Sequence, residues 1–96
     1  MIKIVAKSFI KEEKLNEYLE VAKKLVEETL TKDKGCIHYE LFQDVSNKCI
    51  VTMIEEWDDK ECLAGHMASE HFKNAIAKSA AFAEKPGEMN IYQKLA

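Results

Sequence analysis

The hydrophobic period of this chain changes in a fixed order, and that order leaves few folds open. Residues 2–10 alternate, with Ile2, Ile4 and Ile10 on one side and Val5 and Phe9 on the other, as a strand requires. From Glu12 to Thr31 the period becomes helical. Leu15, Tyr18, Leu19, Ala22, Leu25, Val26 and Leu30 form one stripe, and Glu13, Glu17, Glu20, Lys24, Glu27 and Glu28 take the other side. Lys32, Lys34 and Gly35 suit a helix end. Strands are expected at Cys36–Asp44 and Lys48–Trp57, joined as a hairpin through a turn at Ser46-Asn47. Asp58-Asp59 can cap a short helix through Met67, and Ser69 a second with the inner stripe Phe72, Ala75, Ile76, Ser79, Ala80 and Ala83. Pro86-Gly87 should end that region, leaving Glu88–Leu95 as a fourth strand.

Strand, helix, strand, strand, helix pair, strand is the α+β, ferredoxin-like split βαβ order, with a four-stranded antiparallel sheet. At 96 residues the chain is a single domain, 1–96. One helical layer covers one face of such a sheet, yet the third strand is apolar on both. Val51 and Met53 lie on one side, Ile50 and Ile54 on the other. The second apolar face predicts a homodimer packed sheet to sheet.

Composition excludes several classes. The net charge of −3 favours neither nucleic acid nor an anionic membrane. All 14 basic residues are Lys, so no guanidinium fork is present to grip a carboxylate or phosphate. No apolar run is long enough to span a bilayer. The 3 cysteines have no paired spacing. Without a secretory leader pattern, reduced thiols in a cytoplasmic protein are expected.

The chemistry concentrates between Glu55 and Phe72. Met53, Glu55 and Trp57 share a strand face by parity. On the first short helix the core stripe centres on Leu63 and Met67, with His66 at its flank. His71 opens the next helix, where the dipole favours a neutral imidazole able to accept a proton. Each His could equally be a boundary residue satisfied by a backbone carbonyl, Trp57 plain core and Glu55 a solvated edge carboxylate. His38 is a lone polar group that could line either the pocket or the dimer interface. Cys62, His66 and His71 loosely suggest metal ligands, but no fourth ligand is evident and no metal site is expected.

The stretches Gly35-Cys36-Ile37-His38-Tyr39-Glu40-Leu41, Glu55-Glu56-Trp57, His66 and Ser69-Glu70-His71-Phe72 resemble the antibiotic-biosynthesis-monooxygenase-like family over nearly the whole chain. The resemblance implies a dimeric α+β barrel and one of several chemistries. These are cofactor-independent oxygenation of quinols or anthrones, haem degradation, and isomerisation of a small phosphorylated dione. Ala6 and Ile76 stand where the haem-degrading branch carries Asn and a ligating His. Met53 and Leu63 stand where anthrone oxygenases carry an amide and a Tyr. The missing Arg weakens the phosphorylated dione. The quinol oxygenases remain the match, sharing Trp57, His66 and His71. The expected function is therefore cofactor-free monooxygenation of a small quinol or related aromatic, with no cofactor. His66 or His71 would be the base and Glu55 would orient an imidazole. Trp57, Phe72, Met53, Tyr39 and His38 would bind substrate. The alternatives are an isomerase or tautomerase of a small carbonyl compound, and a non-catalytic ligand-binding dimer.

Overall fold

In the computed structural model, which describes residues 1–96, β1 (Ile2–Ile10) runs through the middle of one sheet. Its neighbours are β3 (Ile50–Trp57) and β4 (Ala83–Gln93), and β2 (Cys36–Gln43) lies beyond β3, giving the order β2-β3-β1-β4. Every pairing is antiparallel. Helices α1 (Leu15–Lys32), α2 (Lys60–Ala68) and α3 (Glu70–Ser79) provide the helical layer. This is the ferredoxin-like α+β arrangement. No helix is long and apolar enough to cross a membrane.

The alternation of β1 and β3 decides which side chains are buried. Ile2, Ile4, Val51, Met53, Glu55 and Trp57 turn toward the helices and are buried. Val5, Phe9, Ile50 and Ile54 point to the open face and stay half-buried. Leu25 and Ala75 carry α1 and α3 onto the main core around Trp57. Ile10, Leu15 and Val51 form a second, smaller core.

Several boundaries differ from the sequence expectation. β3 starts at Ile50 rather than Lys48, because the turn uses the intervening groups. Asp44 Oδ2 accepts from Ser46 N and Asn47 N, Asn47 Oδ1 accepts from Cys49 N, and Gln43 Nε2 donates to Lys48 O. β4 begins at Ala83, not Glu88. Pro86-Gly87 does not break it, because β4 is an edge strand and the pairing with β1 slips between Lys7 and Phe9. A bulge on an edge tolerates a residue without an N–H. Ala83 therefore belongs to β4 rather than to the α3 stripe, and Ile76 and Leu30, expected inside, are exposed.

The link from α1 to β2 sets the site. Asp33 ends the helix, and Gly35 follows at φ +77, a conformation costly for any residue with a Cβ. A Cβ at Gly35 would also lie 2.3 Å from Cys62 Sγ and 2.8 Å from Cys62 Cβ. Gly65 in α2 has nothing within 4 Å of that position. Gly35→Ala is expected to lower unfolding free energy by ~2 kcal/mol or more, through backbone strain and this clash. Gly65→Ala should raise it by ~0.5–1 kcal/mol through helix propensity. Urea denaturation of the two variants checks the contrast.

Candidate functional site

Between the sheet and helices α1 and α3 lies a pocket of ≈ 120 Å³. Ten of its 13 lining residues are apolar, so its few polar groups fix the chemistry. Met53 and Glu55 come from β3, Tyr39 from β2, Phe72 and Ile76 from α3, and Tyr18 and Leu25 from α1. Glu55 is the only charged residue in this wall, and no Lys or His reaches it.

Strand parity aims Glu55 inward, where it is 6% exposed. Its Oε1 accepts a hydrogen bond from Trp57 Nε1 at 3.0 Å. Burial pushes its carboxyl up to about 7, and the indole bond pulls only partly the other way. The expectation that Glu55 orients an imidazole is corrected: its partner is the indole two residues along the same strand face.

His66 is not on the flank of α2. It is 2% exposed, while Met67, expected in the stripe, is 40% exposed. α2 therefore meets the sheet through Leu63 and His66, one turn apart. The His66 ring packs against Trp57 and Phe72, with each ring centroid 4.8 Å away. Both ring nitrogens have partners. Nδ1 is 2.5 Å from Asp33 Oδ2, and Nε2 is 3.2 Å from the Tyr39 hydroxyl. Burial lowers the His66 pKa, Asp33 raises it in part, and the balance favours a neutral ring. Burial, then the nearby Glu55 charge, raise the Tyr39 phenol and keep it protonated.

Tyr39 faces this site because it pairs with the inward-facing Glu55, and β2 has one irregularity just before it. Cys36 pairs with Trp57, but His38 pairs with Glu56, so one residue is inserted into β2. The bulge lets Cys36 share the inner face with Tyr39, and alternation beyond it turns His38 outward with Glu56. His38 is exposed on the sheet face away from the pocket, so its expected place in the pocket is corrected.

α3 begins where Ser69 closes α2. Ser69 Oγ donates to His66 O at 2.6 Å and accepts from Phe72 N at 3.2 Å. This cap fixes His71 relative to His66. His71 Nε2 lies 2.8 Å from Asp33 Oδ1, but too far off axis for a hydrogen bond, so this buried nitrogen has no aligned partner. On its other side His71 borders a surface groove of ≈ 270 Å³ between α1 and α3, with Lys24, Glu28 and Lys78.

Of the residues anticipated from sequence, Glu55, Met53, Tyr39 and Phe72 line the pocket, whereas Trp57, His66 and His71 stand behind its wall. Asp33 was missed. Its signal was an acidic residue between two Lys at a helix C-terminus, where the dipole disfavours an anion. Donor atoms of Asp33, His66 and His71 lie within 4.8 Å of one another, a two-His, one-carboxylate set. Cys62 is not part of it. The 2.5 and 2.8 Å edges of the trio are hydrogen-bond distances. Ligands bonded to a tetrahedral ion at about 2.0–2.1 Å stand roughly 3.3 Å apart, so a metal would have to open the triangle.

Because the folded pKa of Glu55 lies above its ordinary 4.5, the folded state holds this proton more tightly than the unfolded chain. Its stabilising effect is complete below about pH 4.5 and lost as pH rises through about 7. Glu55→Gln is therefore expected to gain on the wild type by roughly 3 kcal/mol between those limits. Denaturation at pH 4.5 and pH 8, read as the difference between the two proteins, cancels the opposite slope from His66.

Residues 1–78 match the antibiotic biosynthesis monooxygenase family. The chain is 30% identical over 86 residues to the Bacillus subtilis (strain 168) protein named "Putative monooxygenase YcnE", covering 90% of each. A solved structure of a conserved protein from Methanosarcina mazei Go1 superposes with a TM-score of 0.94 at 42% identity, covering 98% of this chain and 92% of that one. A solved antibiotic biosynthesis monooxygenase superposes with a TM-score of 0.94 at 31% identity, covering both chains fully (100% of each). With its fold, its pocket and these matches in agreement, the chain belongs to the antibiotic biosynthesis monooxygenase family.

Proposed function

We propose that the protein is a cofactor-independent monooxygenase that oxidises a neutral, single-ring quinol or related phenol with O2, with Glu55 as the general base. The observation that carries this reading is one carboxyl, pushed up to about 7, in a mostly apolar pocket without a cation. A base works best when its pKa lies near the working pH. This moves the base from the two His, which do not reach the pocket, to Glu55.

The pocket volume of ≈ 120 Å³ is close to the dry cavity of about 150 Å³ that holds benzene, which favours one ring over several. O2 reacts slowly with closed-shell molecules, and most enzymes use a flavin or metal to overcome this. A quinol can supply the electron itself once ionised. Loss of its phenolic protons lets it pass one electron to O2, and the radical pair combines to a ring peroxide. The O–O bond then breaks. One oxygen stays on the ring as hydroxyl, taking the hydrogen of the carbon it joined. The other leaves as water with the two phenolic protons, so quinol and O2 become hydroxyquinone and water.

Two proton-handling groups, Glu55 and Tyr39, on one small pocket also support a carbonyl isomerase as the second reading. The lack of a cation in that wall argues against a phosphorylated substrate. Oxygen uptake with freshly reduced benzo- and naphthoquinols, under chelator, separates the two. The oxygenase should give a saturable rate above autoxidation that falls roughly 10²–10⁴-fold in Glu55→Gln. No enzyme-dependent uptake across the panel would remove the oxygenase reading.

The same reading includes a homodimer. Val5, Phe9, Ile50 and Ile54 form a half-buried apolar band on the open face, and two such faces can cover each other. Sedimentation equilibrium should give twice the 11.0 kDa chain mass, and Ile54→Lys should give the chain mass.

A further inference from the structure

Behind the pocket wall runs a line of polar groups for which the general base at Glu55 has no use. Tyr39 lines the pocket, and its hydroxyl lies 3.2 Å from His66 Nε2. His66 Nδ1 lies 2.5 Å from Asp33 Oδ2. Their side chains are nearly sealed, with His66 1% and Asp33 8% exposed. A carboxylate only accepts hydrogen bonds, so Asp33 requires the proton of a neutral His66 on Nδ1. Nε2 then carries the lone pair, and the Tyr39 O–H must donate to it. The order of donors runs one way, from the pocket toward Asp33. Three elements far apart in sequence (the end of α1, strand β2 and helix α2) are held in register to make it.

We propose that Tyr39 is a second proton acceptor of the pocket, a catalytic residue that relays a substrate proton to His66, with Asp33 as the positioning residue that fixes the His66 tautomer. The use of this relay in oxygenation rests on the reading above. A quinol has two hydroxyl protons to lose, and Glu55 takes one. For the other, the substrate O–H bond breaks as a new bond forms at Tyr39 Oη, while the Tyr39 proton passes to His66 Nε2. The tyrosine ends as it began, no buried phenolate forms, and the resulting imidazolium faces the Asp33 carboxylate. Reversal of the same steps returns the proton to the departing oxygen, so the two protons of the water are accounted for. His71, 2.8 Å from the other Asp33 oxygen, is the second imidazole on that carboxylate and borders the groove to solvent.

The relay is tested first without substrate, by nitrogen-15 imidazole NMR of the full-length protein at pH 8. Wild type should show His66 protonated at Nδ1 and bare at Nε2, and Asp33→Asn should abolish that preference. A wild-type His66 protonated at Nε2, or a tautomer unchanged in Asp33→Asn, would overturn the proposal. So would one equivalent of Zn²⁺ bound by wild type and lost in both Asp33→Asn and His71→Ala, since the trio would then be a metal site. The second arm uses whichever quinol gives oxygen uptake. Tyr39→Phe keeps the ring and its packing, and should lower kcat roughly 10²–10⁴-fold with little change in KM. Wild-type kcat in Tyr39→Phe would overturn the relay and leave the oxygenase standing. The expected tautomers with no oxygen uptake would leave the donor order standing and remove the oxygenase.

Discussion

The contact between Asp33 and His66 is the one that the rest of the site depends on. An imidazole at the centre of an aromatic core loses its water, and each unpaired ring nitrogen would cost roughly 1–3 kcal/mol. His66 avoids that cost because Asp33 and Tyr39 meet its two nitrogens. Trp57 and Phe72 can then pack against its ring, both tilted to it. The carboxylate is delivered by the last turn of α1, and the Gly35 turn then sends the chain back as β2. A single tight connection thus sets the acceptor for His66 and the start of the strand that carries Tyr39.

Trp57 couples this core to the pocket. Its ring stacks near His66, and its N–H holds Glu55. The indole therefore does two jobs from behind the wall and touches no ligand space. It limits how far the carboxylate can swing, and it slightly favours the ionised form that burial opposes. Without that bond the carboxyl would be pushed higher still, which would make it a poorer base at neutral pH in the proposed role.

Much of this could be read from the sequence, and the failures have local causes. Parity alone put Glu55, Met53 and Trp57 on one face, and the caps at Asp59 and Ser69 fall where their side chains suggested. Periodicity failed at α2 because nine residues span barely two and a half turns. Leu63 could then share a face with His66 or with Met67, and only the partners of the imidazole decide which. His38 was misplaced because it and Tyr39 are strand neighbours in one unbroken register, so alternation lets only one of them face the pocket, and the buried one is Tyr39. Asp33 escaped notice because it belongs to no motif. It becomes meaningful only when α2 and α3 fold back over the end of α1.

The fold is shared by proteins of several chemistries, so the pocket must carry the functional choice. Its charge balance is the strongest constraint there. One carboxyl that burial already resists ionising stands among mostly apolar walls, with no cation to offset it. An anionic substrate would add a second negative charge in the same desolvated space, which like-charge repulsion opposes. A neutral phenol meets no such barrier. In the proposed reaction the first proton crosses to an ionised Glu55, so in that step the negative charge moves from carboxylate to substrate and the net charge of the pocket is unchanged. On that proposal the phenolate would stand among mostly apolar walls, where fewer polar groups shield it from O2. On the proposed reading, the group that makes charged ligands unwelcome is thus the one that would make a neutral quinol reactive.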